Sequence, residues 1–284
     1  MRSWLFVPGN VEKKIVKAIS SAADVVIIDL EDSVPAAEKA TARKLASDIV
    51  SALPDVHRKV YLRVNSEDEF IKKDLESAVT GNFDGVIVPK INNVSDVFSA
   101  ETILKSVEDG SGKQLDFVPL IESAQGVLNI MDILTSSGRI RRVTFGVLDY
   151  LLDIGGKMCG DGYESAFAKS YIALASAAAG KEGPIDTVYP DYKNDEGFCN
   201  DAVHTRCLGY QGKLLIHPCQ IESANRIYSP DEKDIDFADR AVSAFESAQE
   251  AGLAAVQVDG RMVDKPVYIQ SLNTLKKAKE YGLR

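Results

Sequence analysis

Eight short, β-prone apolar runs punctuate the first three-quarters of the chain, and a longer stretch with room for a helix follows nearly every one. They are Trp4–Val7, Val25–Leu30, Val60–Val64, Gly85–Pro89, Asp116–Ile121, Arg142–Phe145, Ile185–Tyr189 and Leu214–His217. A spacing of roughly 20 to 45 residues leaves room for the crossover helix that two parallel neighbours require. Several helical stretches have readable starts: Asn10 before VEKKIVKAISSA, Pro35 opening AAEKATARKLASDIV, and Ser95 before DVFSAETILKSV. Eight such units predict an α/β chain folded as a (β/α)8 TIM barrel rather than an open doubly wound sheet. The seventh run carries the weakest signal, being short and flanked by KEGPID. After Tyr228 the rhythm stops: SPDEKDIDFADRAVSAFESAQEAG predicts one long helix, VQVDGRMVDKP a tight turn, and the remainder a last helix. The expected organisation is a barrel over residues 1–228 and a helical lid or arm over residues 229–284.

Charge and cysteine usage narrow the function classes. Lys and Arg number 33 against 42 Asp and Glu, a formal charge of −9, and no basic patch is interleaved with aromatics. A nucleic-acid partner is therefore not expected. The opening MRSWLFVPGN breaks at Pro8-Gly9, too early for a signal-peptide core or a membrane span, so a soluble cytoplasmic protein is expected. Cys159, Cys199, Cys207 and Cys219 show neither C-x-x-C nor zinc-ribbon spacing, and reduced thiols are expected.

In such barrels the residues just past each strand share one mouth. Here those positions hold Asp29, Glu31 and Asp32 in VVIIDLEDSV, then Arg63, Asn65, Lys90, Glu122, Asp149 and His217. A single charged strand end can be a salt bridge or a cap; charges on nearly every strand point to chemistry. Three carboxylates within four positions repel one another, and burying any of them unpaired is costly, so a positive partner is expected. With only 3 histidines in the chain, the acid set favours an oxygen-loving cation such as Mg²⁺ over zinc. Glu122 in PLIESAQGV and Asp149 in FGVLDY are the expected direct ligands. The DLED cluster would bond metal-bound waters, or else serve only as a cap and loop. Lys90 at a strand end would also suit Schiff-base chemistry, and His217 either proton transfer or a structural hydrogen bond. The glycines of IGGKMCGDGYES, residues 154–165, either bring backbone amides to a phosphate or pantetheine or form a mobile connection.

A series of short motifs then falls in order along the whole chain: RSWLFVPGN, DLEDSV followed by K and AR, LRVNS, VPK, the Glu of IES, FGVLDY, GPIDTVY, GKLLIHPCQI and DGRMVD. Together they resemble the HpcH/HpaI aldolase and citrate lyase β-subunit family, most of all its standalone malyl-CoA and citramalyl-CoA lyases. Many relatives carry an acid just before the metal Asp; Leu148 stands there in this chain, a form associated with the malyl-CoA branch. The resemblance implies a Mg²⁺-dependent carbon–carbon lyase that cleaves a 3-hydroxy-3-carboxyalkyl-CoA thioester to acetyl-CoA and pyruvate or glyoxylate, reversibly. It places Mg²⁺ on Glu122 and Asp149, the keto acid on Arg63, and coenzyme A near Lys13, Lys14 and Lys17. Glu31 joins the catalytic set and Asp32 the binding set. Asp264 of the DGRMVD turn becomes an acid/base lent by a neighbour's C-terminal lid in a homotrimer or hexamer. Two other readings stay open: a citryl-carrier-protein lyase β subunit within a citrate lyase complex, and a non-catalytic barrel that binds acyl-CoA.

Overall fold

The computed structural model describes residues 1–53, 58–160 and 162–284, which form two compact units, Met1–Asn225 and Arg226–Arg284. The first unit opens with β1 (Ser3–Pro8), α1 (Glu12–Ile19), β2 (Val25–Asp29), α2 (Lys39–Ser51), β3 (Lys59–Arg63) and α3 (Asp68–Thr80). It continues through β4 (Gly85–Val88), α4 (Val94–Glu108), β5 (Asp116–Ile121), α5 (Ala124–Leu128), α6 (Ile130–Ser136) and β6 (Thr144–Phe145). It ends with α7 (Val147–Asp153), α8 (Tyr163–Ala178), β7 (Ile185–Asp186), α9 (Asp195–Cys207), β8 (Gly212–Leu215) and most of α10 (Ile221–Ile227). The eight strands are parallel, run in sequence order and close on themselves, so the expected TIM barrel is present.

Strand periodicity explains how the barrel is filled. Successive side chains alternate between the interior and the helices. The interior set is Trp4, Val25, Ile27, Tyr61, Ile87, Val118, Leu120, Ile185 and Leu214, all buried. Burial of each large apolar side chain stabilises the fold by about 1.5–3 kcal/mol. Trp4 and Tyr61 pack with ring centroids 5.1 Å apart. Below them the Tyr61 hydroxyl donates to Asp116 at 2.7 Å, and Arg142 donates to Asp116 and Glu182. The base of the barrel is thus closed by satisfied pairs. Two residues further along each strand, the same inward parity brings Phe6, Asp29, Arg63, Glu122 and Ile216 to the opposite end.

Several local expectations are corrected. Asn10 does not cap α1; its side-chain amide donates to Glu38 at 2.6 Å, and Val11 stands at the cap position. The α4 cap is Asn93, whose side chain accepts from the Ser95 and Asp96 amides, so Ser95 lies inside the helix. Pro35 precedes a 3₁₀ turn, Ala36–Glu38, that leads into α2. The eighth strand begins two residues earlier than expected, and the seventh holds only Ile185 and Asp186. All four cysteines are free. Among the described residues no helix is long and apolar enough to cross a membrane.

The second unit contains α11 (Glu232–Glu250), β9 (Val256–Val258), β10 (Arg261–Val263) and α12 (Lys265–Glu280). What reads from the sequence as a tight turn is an antiparallel hairpin. Asp259 and Gly260 both have positive φ, 50° and 77°, the pattern of a two-residue type I′ loop. Ala241, Phe245, Val258 and Val263 form its core, with Tyr268 stacked on Phe245 at 4.8 Å. Asp264 caps α12 by accepting from the Val267 amide at 3.2 Å.

Candidate active site

A cavity of about 410 Å³ opens at the carboxyl ends of the strands. Its wall includes Asp29 and Asp32 from the β2 end, Arg63 from β3, Glu122 from β5 and Asp149 from the first turn of α7. The two expected metal ligands therefore face one space. Phe6, Leu120, Val188 and Ile216 supply its apolar side.

The β2 end is organised around Asp29. Its carboxylate accepts from the amides of Glu31 at 2.9 Å and Ser33 at 3.1 Å, which bends the chain into the loop. It also receives a two-pronged contact from Arg63, Nε at 2.6 Å and Nη2 at 2.8 Å. Burial pushes the Asp29 carboxyl up, but Arg63 and the loop donors outweigh it and hold the group below the usual carboxylate range. The remaining Arg63 nitrogen, Nη1, lies 3.1 Å from Glu31 and 3.2 Å from Asp32. Of these, Asp32 is the solvent-exposed one, at 62%.

Glu31 and Glu122 behave differently. Burial, with the Asp32 charge, pushes the Glu31 carboxyl up to about 7 despite Arg63 and Lys90. Its oxygens lie 3.1 Å from Arg63 and 3.2 Å from Lys90, yet neither accepts a well-aligned hydrogen bond. Glu122 is pushed up to about 8, first by burial and then by the charges of Glu31 and Asp149. One of its oxygens accepts the Lys90 backbone amide at 2.8 Å. Lys90 holds a left-handed backbone, φ 56°, unusual for a residue with a side chain. A β-carbon on Gly146 would sit 2.9 Å from both Cβ and Oε2 of Glu122. At this position it is space, not backbone freedom, that requires glycine.

These surroundings fit a divalent cation. Carboxylates that burial and then one another's charge push up, Glu122 to about 8, are stabilised by a positive ion between them. Among the described residues no three His, Cys, Asp or Glu side chains gather into a ready ligand set. Magnesium takes one or two carboxylates and keeps other oxygens as ligands, and Glu122 and Asp149 are the pair that lines this cavity.

The other candidates are distributed unevenly. Lys13, Lys14 and Lys17 are exposed along α1 and are absent from the cavity wall. Lys90 is half exposed and ion-paired to Glu31, which raises its pKa although burial opposes this; a Schiff-base lysine needs the reverse. His217 has a structural role: its Nδ1 accepts the Cys219 amide at 3.2 Å and Tyr192 stacks on its ring at 4.5 Å. In the glycine run, Gly155, Gly160 and Gly162 have positive φ, while Asp161 lies outside the described residues. Asp264 belongs to the second unit, where it caps α12.

A buried support for the acid loop escaped sequence reasoning. Lys39 Nζ donates to the carbonyls of Leu30 and Glu31, each at 3.1 Å, and to the side chain of Asn65. Asn65 in turn donates to Asp74, which is ion-paired to Arg43. The "K and AR" after DLEDSV is this strut.

Comparison with known proteins gives a consistent result. The HpcH/HpaI aldolase/citrate lyase pattern matches residues 2–218. The citrate lyase subunit beta of Escherichia coli is 34% identical, covering 100% of this chain and 95% of that one. A (3S)-malyl-CoA thioesterase of Cereibacter sphaeroides is 33% identical, covering 98% and 94%. The crystal structure of CitE from Mycobacterium tuberculosis, in complex with magnesium, acetoacetate and coenzyme A, superposes with a TM-score of 0.79. It is 27% identical and covers 98% of each chain.

Proposed function

The chain belongs to the HpcH/HpaI aldolase/citrate lyase family, and from that premise we propose that it is a magnesium-dependent lyase of hydroxyacyl-CoA thioesters. The proposed reaction splits a 3-hydroxy-3-carboxyalkyl-CoA of the malyl or citramalyl type into acetyl-CoA and glyoxylate or pyruvate, reversibly, in the cytoplasm. The observation that carries this reading is a single cavity walled by Glu122, Asp149 and the Arg63–Asp29 fork.

Each residue has a physical task. Glu122 and Asp149 would hold the magnesium ion, which when bound supplies Lewis acidity to the hydroxyl and carboxylate oxygens of the substrate. Arg63 offers the planar donor fork suited to a carboxylate. Asp29 locks two of its nitrogens, so the substrate carboxylate would bind at Nη1 and displace the exposed Asp32 while the buried partners stay in place. Glu31, whose carboxyl burial raises to about 7, stays beside Arg63 Nη1. The lysines of α1 would lie near the phosphates of coenzyme A. Asp264 of a neighbouring copy, in a homotrimer or hexamer, would take the hydroxyl proton and return one to the departing acetyl thioester carbon. The Phe6, Leu120 and Ile216 side limits water. Choice between glyoxylate and pyruvate turns on one methyl group, worth about 1–3 kcal/mol in such a pocket.

The test is a panel of malyl-, citramalyl-, citryl- and 3-hydroxy-3-methylglutaryl-CoA, assayed with and without magnesium. Release of acetyl-CoA from at least one of the first two, abolished by chelator, is expected. Turnover that survives chelation would sink the metal role. The full-length match to citrate lyase subunit beta favours a second reading, in which cleavage appears only when the thioester is carried on an acyl-carrier protein.

A further inference from the structure

The two acids assigned above to the ion come from different elements, so their separation depends on how those elements are joined. Glu122 follows β5, which the barrel holds between β4 and β6. Asp149 is exposed and rides on α7, a helix of 7 residues and therefore under two turns. A helix this short has little stability of its own. Val147, Tyr150 and Leu151 bury its inner side, but apolar burial has no direction and leaves the helix free to slide or tilt. The place of Asp149 is set by whatever holds the two ends of α7.

The start of α7 cannot be capped in the usual way. Gly146 stands at the cap position, pressed against Glu122 so closely that a β-carbon does not fit, and it has no side chain to accept a free amide of the first turn. The buried hydroxyl of Thr187, just past β7, does so instead and accepts the Val147 amide at 3.0 Å. The Gly146 amide donates to the Ile121 carbonyl at 2.8 Å, one residue before Glu122. At the far end of α7 the Asp153 carboxylate accepts the Ala124 amide at 2.8 Å, two residues after Glu122. Asp149 thus lies between ties that reach the chain on either side of Glu122, and Asp153 itself is no part of the cavity wall. We infer that Asp153 and Thr187 are positioning residues, which hold α7 at its two ends and so fix the separation of the Glu122 and Asp149 carboxylates. The inference rests on the reading above, in which those two carboxylates hold magnesium.

Calorimetric titration of magnesium into the full chain without substrate, in the variants D153A, D153N, T187V and T187S, tests it. D153A and D153N remove the same charge, but only asparagine keeps an acceptor for the Ala124 amide. T187S likewise keeps the hydroxyl that T187V deletes. D153A and T187V should each weaken magnesium binding about 10-fold or more with helical circular dichroism unchanged, while D153N and T187S bind as the wild type does. D153N as weak as D153A would show that Asp153 acts through its charge and overturns its part of the proposal. Wild-type affinity in D153A or in T187V overturns the assignment of that residue. Glu122→Gln in the same series separates the two claims: magnesium binding that this change leaves intact strikes the assignment of the ion, and the positioning with it.

Discussion

Two charged clusters in the barrel unit use similar side chains with opposite balance. Behind β7 and β8, Lys169 and Lys213 meet Asp186 and Asp201, two positive groups against two negative. At the mouth, Arg63 and Lys90 face Asp29, Glu31, Asp32, Glu122 and Asp149. In the first cluster burial pushes Asp201 up, but the lysines outweigh it and pull the group down to about 2. In the second, burial, with the neighbouring acids adding to it, leaves Glu31 at about 7 and Glu122 at about 8. Equal charges complete a structure; an excess of one sign stores repulsion that an incoming cation relieves.

Removing one partner from each cluster should separate stability from chemistry. Lys213→Met takes a fully buried cation from the balanced set and leaves two aspartates with one lysine. Urea unfolding should show a loss on the order of 3–5 kcal/mol, with activity per folded molecule largely kept. Glu122→Gln should do the opposite: unfolding stability without metal is kept or raised, while kcat/KM falls at least about 100-fold. Equal damage to both properties in both variants would erase the distinction.

Strong acid should destabilise the fold through the balanced cluster's depressed carboxyl. The folded pKa of Asp201, about 2, lies below its ordinary value of 3.8. Its contribution is therefore present above about pH 4 and is lost as pH falls toward 2. About 2 kcal/mol should disappear over that window in urea melts, and Asp201→Asn should lack that part of the slope. The smallest effect is expected at Lys90, whose half-exposed ion pair with Glu31 is worth at most about 1 kcal/mol to stability. Borohydride added with substrate should leave no adduct on Lys90.

The barrel was legible because its strands are short and apolar and recur with helical stretches between them. Errors fall where another interaction masks the pattern. The eighth strand reads late because Lys213 interrupts its apolar run, yet that lysine is buried against Asp186 and Asp201. Ser95 looked like a cap because the neighbouring Asn93 fills the same role three residues before Asp96. The Asp-Gly pair at 259–260 is itself a hairpin signal, and it turns the chain between β9 and β10. At the site, Asp29 and Glu122 could be placed because they end or follow a strand and keep its inward parity, whereas Asp149 reaches the mouth from the first turn of α7. The Lys39 strut could not, since its acceptors are two backbone carbonyls and an asparagine 26 residues away. Only the folded return of α2 across the loop shows why that lysine is there.

Calorimetric titration of magnesium into the wild type, Glu122→Gln and Asp149→Asn bears most directly on the acid-rich mouth. One binding site in the wild type that is lost in each variant, with Lys213 and Asp201 variants still binding if folded, is the expected result. Magnesium bound equally well by all three proteins would contradict the assignment of the ion to these two carboxylates.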